Sequence, residues 1–293
     1  MSRPRGMLLV AGAATCWSTG GLIARLVTTD PWTTTLWRCV FSAAFLIVVV
    51  AVVRRQGVLA QWRATGWPGV GIAACMATAS TCFILSLSYT SVANTLILMS
   101  VGPWVTGLLG WLLLGERVRP RTWLTMGVAL LGVVVMVSGS YGTGRLAGDG
   151  LAILMASAFA LATVLVRRHP DIQMTPAASL SAVLAALLVL PMASPLAASP
   201  RDLGLLALFG IGQFGAGFLL FMAGARLLPV AETSLIGMLE TVLGPLWVWL
   251  LLGEEIGVRS IIGGLVILGA LVLHTLLELA DRAVTKPSEY RST

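Results

Sequence analysis

Two full charges stand where a charge is costly. Arg38, in Leu36-Trp37-Arg38, and Glu240, in Leu239-Glu240-Thr241, each fall deep inside a long apolar run. A charge at the centre of a membrane helix costs about 2.5–3.5 kcal/mol on insertion scales, so each must face a cavity or a partner. In helical geometry Glu240 lies about 15 Å from one end of its run, at mid-membrane, and Arg38 about 10 Å from the end of its own. Three readings fit. The pair is a structural ion pair, Arg38 satisfies backbone carbonyls, or Glu240 meets a substrate ammonium or a coupling proton. Glycine and proline form a second constellation: Gly102-Pro103 and Gly244-Pro245 sit near the middle of two such runs. Proline removes a backbone donor and crowds the preceding turn, which predicts a kink at each. In a bilayer, irregular backbone of this kind is tolerated only against protein or a water-filled cavity, so these four residues are candidate hinges.

A third group shares their depth. Trp17, Trp104, Phe159, Phe214 and Phe218 fall near mid-run, with Ser18, Thr78, Ser80, Thr81, Ser100 and Gln213 as polar neighbours. Apolar walls with a few placed polar groups suit a small amphipathic ligand. Catalytic chemistry finds no purchase. There is no phosphate-cradling loop ending in Lys-Ser/Thr, no HExxH and no pair of carboxylates at helical spacing within a run. Cys16, Cys39, Cys75 and Cys82 lack metal-ligand spacing and read as small packing residues. His169 and His274 read as surface or interface residues, and Gly142-Thr143-Gly144 as a turn. The expectation is a chain that is no enzyme, holds no metal and carries no cofactor.

The elements that position these residues follow from composition. The chain is 57% hydrophobic and 11% charged, where soluble domains carry roughly 25% charged residues. Apolar runs long enough to cross about 30 Å of hydrocarbon recur from end to end. They predict an all-α integral membrane protein with ten spans, at 6–26, 31–53, 66–89, 91–114, 121–139, 148–167, 174–194, 203–225, 230–252 and 257–277. The first run follows Arg3 and Arg5 as a signal peptide would, yet no small-residue cleavage site ends it, and it is read as a retained span. Trp32, Trp62, Trp67, Trp111 and Trp123 fall at span ends, where aromatic side chains sit at the interfaces. Gly127, Gly132, Gly263, Gly264 and Gly269 are read as sites of close helix packing.

The chain also repeats itself. Trp-Leu-Leu-Leu-Gly-Glu occurs at Trp111–Glu116 and, 138 residues later, at Trp249–Glu254. At the same offset Val92-Ala93-Asn94-Thr95 faces Val230-Ala231-Glu232-Thr233, and Phe83 faces Phe221. The duplication divides the chain into residues 1–142 and 143–293, with five spans in each. Units that cross an odd number of times sit upside down relative to one another, the inverted-repeat plan of many secondary transporters. With the N-terminus inside, only Arg25, Arg145, Arg201 and Arg259 of the 19 basic residues fall outside, and Arg38 lies within a span. That bias places both termini in the cytoplasm. The net charge of +7 is spread over every inner turn, which argues for an anionic lipid leaflet and against nucleic acid as the partner.

These features resemble the drug/metabolite transporter superfamily, and within it the EamA family. The resemblance rests on ten spans, an internal duplication, Leu-Leu-Gly-Glu closing spans four and nine, Arg38 in span two, Pro103 in span four and Glu240 in span nine. Thr241 stands where the family usually has proline, and Pro245 follows one turn later. Cys16-Trp17-Ser18-Thr19 and the Glu240–Pro245 spacing are most similar to the aromatic amino acid exporter branch. The resemblance implies export of aromatic and other neutral amino acids, and of planar cationic drugs, across a bacterial inner membrane. It also implies a central cavity lined by spans one to four and six to nine, with spans five and ten peripheral. Two alternatives share the architecture: a nucleotide-sugar or broad drug transporter, and a passive channel. A phosphate-bearing substrate calls for more mid-depth cations than Arg38 alone.

Overall fold

The computed structural model describes residues 3–54, 57–90, 92–138, 146–170, 172–253 and 257–285. The Gly142-Thr143-Gly144 turn, the junction between residues 142 and 143, Glu254 and the C-terminal residues 286–293 lie outside them, as does the side chain of Pro245. Among the described residues every regular element is helical. Helix α1 (Arg3–Ser18) is followed, after a break at Thr19, by α2 (Gly20–Leu26). Then come α3 (Pro31–Arg54), the short α4 (Val58–Ala64) and α5 (Gly66–Tyr89). Helices α6 (Val92–Met99) and α7 (Gly102–Leu114) share one apolar run, and α8 (Pro120–Val137), α9 (Leu146–Arg168) and α10 (Met174–Val189) follow. Helix α11 (Pro200–Leu208) passes through a π-helical stretch, Phe209–Ala216, into α12 (Gly217–Ala225). Helices α13 (Val230–Gly237), α14 (Leu239–Leu252) and α15 (Val258–Thr285) complete the chain.

Eight of the resulting helical spans are long and apolar enough to cross a membrane. The apolar stretches Pro120–Met136 and Ile261–His274, in the regions read as spans five and ten, are shorter. Local chemistry sets several ends. Asp30 Oδ1 accepts from the backbone N–H groups of Trp32 (2.9 Å) and Thr33 (3.1 Å), opening α3 at Pro31. The duplicated hexapeptide ends its helices on Gly115 and Gly253, at φ +68° and +67°. A Cβ is penalised in that left-handed region, so a run of leucines stops where glycine permits the turn.

Packing divides the protein in two. Val10, Ile72, Met76, Phe218, Phe221 and Met222 form the main core, joining α1, α5 and α12 with α9 and α10. A second core holds α8 and α15 together through Met126, Val133, Met136, Ile267 and Leu271, and leans on α13. Small residues let α8 and α15 cross closely: a Cβ on Gly132 would lie 2.8 Å from Ile267 and 2.9 Å from the Gly263 carbonyl. Gly269, read from sequence as a packing glycine, instead faces open space. Trp67 is exposed, while Trp123, in the first turn of α8, is half-buried with its ring tilted against Trp104, centroids 4.9 Å apart. His274 is buried between the same two helices, 3.4 Å from Thr125 Oγ1.

Candidate functional site

Four of the spans are irregular, and all four irregularities gather at the centre of the protein. The first span breaks at Thr19, directly after Trp17 and Ser18. The fourth breaks at Ser100 and Val101, where the N–H of Ser100 bonds back three residues to Ile97 (3.1 Å), just ahead of Gly102-Pro103. The eighth carries the π stretch with Gln213 and Phe214. The ninth breaks at Met238, whose N–H bonds back to Leu235 (3.1 Å). Met238 is offset by 138 residues from Ser100, so the two breaks occupy equivalent positions of the repeat. No break is seen at Gly244-Pro245, the position expected to kink. Helix α14 runs unbroken through those residues from Leu239 to Leu252. The chain turns instead beside Gly237, where the absent side chain lowers the cost of a tightened turn.

Around these breaks lie two adjoining chambers. One, of about 590 Å³ counting its mouth, is lined by Met99, Ser100, Gly102, Pro103, Met155, Ala156, Ser234, Gly237, Met238 and Thr241, together with Trp17, Phe159 and Glu240. The other, of about 470 Å³, is lined by Arg38, Met76, Ala79, Ser80, Phe83, Gln213, Phe214 and Phe218 and by the same Trp17, Phe159 and Glu240. Those three shared residues form the junction. Trp17 stands edge-on to Phe159 (5.5 Å between centroids) and leans on Phe221 (5.1 Å). Its backbone carbonyl accepts from Gln213 Nε2 at 3.2 Å, which leaves Gln213 Oε1 buried without a hydrogen-bond partner.

The two intramembrane charges border the second chamber, yet no nitrogen–oxygen approach within 4.0 Å joins them. Arg38 is 1% exposed. Its Nη2 donates to the Ser80 carbonyl (3.0 Å) and to Ser80 Oγ, and its guanidinium lies 5.2 Å and 5.0 Å from the rings of Phe209 and Phe214. Those contacts explain how the cation is tolerated without a carboxylate. The π stretch supplies both rings, and glycine lets it approach α3: a Cβ on Gly210 would overlap the Arg38 carbonyl and Phe41. Glu240 is only partly buried. It makes no hydrogen bond or ion pair with any described residue, so its carboxylate faces the chambers unpaired.

Of the residues singled out from sequence, Trp17, Arg38, Ser100, Gly102, Pro103, Phe159, Gln213, Phe214 and Glu240 line one chamber or both. Ser18, Thr78, Thr81 and Trp104 do not. Ser18 is buried behind Trp17, where its Oγ accepts from Trp247 Nε1 at 2.8 Å. On α5 the lining residues Met76, Ala79, Ser80 and Phe83 follow helical spacing, and Thr78 and Thr81 fall off that stripe. Trp104 turns toward α8, one face away from the α7 residues that meet α13. Sequence reasoning passed over Met99, Met155, Met238, Phe83 and Ser234. Only Phe83, matched to Phe221 in the repeat, carried a signal; the methionines are indistinguishable from packing residues until the breaks are seen.

The sequence matches the EamA-like transporter family over residues 4–138 and again over residues 145–276. The chain belongs to the EamA-like transporter family. A solved crystal structure described only as that of a protein shares the fold, with a TM-score of 0.81, 21% identity, and coverage of 94% of this chain and 99% of that one. No curated protein matched. As an EamA-like protein the chain is a multi-pass membrane transporter of small substrates and not an enzyme. Broken helices are tolerated in a membrane protein where they border a cavity, because the cavity satisfies carbonyls that lipid cannot.

Proposed function

We propose that this transporter exports aromatic and other neutral amino acids from the bacterial cytoplasm across the inner membrane by alternating access. In this reading ten transmembrane helices form two inverted five-helix repeats, residues 1–142 and 143–293, with both termini cytoplasmic. One observation carries the substrate class: Arg38 and Glu240 border the same central chamber and are not paired with each other. An amino acid brings one cation and one anion, and a chamber with one of each can receive both without leaving a buried charge alone. The apolar walls given by Trp17, Phe159, Phe214 and Phe218 suit an aromatic side chain. Methionines in the adjoining chamber, Met99, Met155 and Met238, can repack around side chains of different shape.

A substrate with a phosphate group fits less well, because Arg38 is the sole cation among the lining residues and Glu240 opposes it. Planar cations are favoured as second cargoes by the unpaired Glu240 beside Trp17 and Phe159. The same carboxylate is the group a coupling proton would use. Counterflow into proteoliposomes separates these readings. Labelled tryptophan, phenylalanine or leucine should exchange against the unlabelled compound, and accumulation should depend on a proton gradient if Glu240 carries the coupling. Exchange of nucleotide sugars with no exchange of any amino acid would overturn the proposal.

A further inference from the structure

The broken fourth and ninth spans meet at one end of the protein and part at the other. Beyond the floor of the methionine-lined chamber, α7 and α13 close in three tiers. Ser234 Oγ donates to Thr106 Oγ1 at 2.9 Å, and Thr106 is 1% exposed. Next, Val230 packs into the notch of Gly110, where any Cβ would overlap its methyl group. At the surface Glu116 joins three elements: Oε1 accepts from Arg167 Nε of α9 at 3.1 Å, and Oε2 accepts from the Val230 N–H that opens α13 at 3.3 Å. Arg167 Nη1 in turn donates to the Arg226 carbonyl at 2.7 Å. Arg3 of α1 and Glu232 of α13 add an ion pair on the same arginine-rich face.

Among the described residues the opposite halves of these spans make no such seam. Helix α6 packs on α5, α8 and α9, while α14 packs on α1, α2 and α15. A Cβ on Gly244 would lie 3.7 Å from the Ser18 carbonyl oxygen, and Trp247 Nε1 donates to Ser18 Oγ. The Thr106–Ser234 and Gly110–Val230 tiers are not reproduced in the repeat, whereas Glu116 corresponds to Glu254. At the 138-residue offset Thr106 corresponds to Gly244, Ser234 to Leu96 and Gly110 to Val248. The two inner tiers are therefore specific to one end.

We propose that Glu116 and Arg167, with the Thr106–Ser234 and Gly110–Val230 contacts above them, are the gate that holds the arginine-rich end of the transport path shut in the resting protein. The inference rests on the alternating-access reading and is independent of the substrate. Glu116 acts as a positioning residue: it seats the start of α13 against α7 by accepting its N–H and is itself held by Arg167. Opening must break both bonds and withdraw Val230 from its notch.

Side-specific labelling tests this without any substrate. With the four native cysteines replaced, Ser100→Cys places a reporter in the chamber, and a membrane-impermeant maleimide is applied from each side of oriented vesicles. Labelling should come only from the side opposite the arginine-rich face. Glu116→Ala removes an ion pair and a helix cap together and should raise labelling from the arginine-rich face about tenfold. Glu116→Gln keeps the acceptor for Val230 and should raise it about threefold, which preserves the test if the alanine variant folds poorly. Joining Thr106→Cys to Ser234→Cys by a disulfide in the Glu116→Ala background should abolish the new labelling, and reductant should restore it. Equal labelling from both faces before any gate substitution, or unchanged one-sided labelling in folded Glu116→Ala and Glu116→Gln, overturns the proposal. Failure of amino acid exchange in proteoliposomes would leave these outcomes untouched, so the gate and the substrate reading fail separately.

Discussion

Glu240→Gln separates a carboxylate that reads cargo from one that holds the fold. No described residue bonds to Glu240, so the substitution removes a charge without breaking an ion pair, and glutamine matches its size. An uncompensated charge in a low-dielectric interior is a cost to the folded protein. The melting temperature in detergent should therefore hold or rise. Transport should behave in the opposite way. If a cargo ammonium bonds to this carboxylate, losing a charge-assisted hydrogen bond removes about 1.5–3 kcal/mol of binding, or about 10- to 150-fold in affinity. The assay is half-saturation of tryptophan counterflow in proteoliposomes holding equal amounts of folded protein, set beside the thermal melt. A clear fall in melting temperature with half-saturation unchanged would refute the reasoning and make Glu240 structural.

Three further substitutions probe neighbouring features. Arg38→Ala should lower folded yield and counterflow together, by about 2–4 kcal/mol of stability, because it empties the space between Phe209 and Phe214 and strips the donors from Ser80; a melt and a yield measurement suffice. Gly217→Ala would bring a Cβ to 2.6 Å from Trp17 Nε1 and 2.7 Å from its Cδ1. That overpacking should cost about 1–3 kcal/mol and, by tilting the ring shared by both chambers, reduce counterflow per folded molecule. Gly132→Ala should cost a similar 1–3 kcal/mol through Ile267 and the Gly263 carbonyl, yet leave counterflow per folded molecule unchanged, since α8 and α15 line neither chamber.

Much of the helical frame was legible because the signal is local. Apolar length alone placed the third span at 66–89, and Gly66–Tyr89 is the helix observed. The fourth and ninth spans, read as ending at residues 114 and 252, end there, each followed by a glycine at positive φ. Arg38 and Glu240 were legible as residues that must face a cavity or a partner, because a charge at that depth demands an explanation, and both line the second chamber. What sequence reasoning missed depends on facing and on bond register, which residue types do not encode. Trp104 shares a depth with Trp17 but points to Trp123, one helical face away. Proline marked the break at Pro103 and misdirected attention to Pro245, while the actual break at Met238 has no proline to announce it. The π stretch is silent in sequence for the same reason: Phe209–Ala216 is built of residues that an α-helix would accept equally well.

That stretch has a consequence for how such a protein can change. A turn closed by i→i+5 bonds absorbs one residue more than an α turn, so the eighth span stores a spare residue in its backbone. Insertions and deletions within membrane helices are ordinarily ruinous, since they rotate every side chain beyond them. Here the loss of one residue among Phe209–Ala216 could be taken up by relaxing the π turns to α, with α11 and α12 keeping their own faces. Only the rings around Arg38 and the reach of Gln213 would be redistributed. The eighth span is thus a place where an indel, not a point substitution, can remodel what the cavity recognises while the rest of the bundle keeps its register.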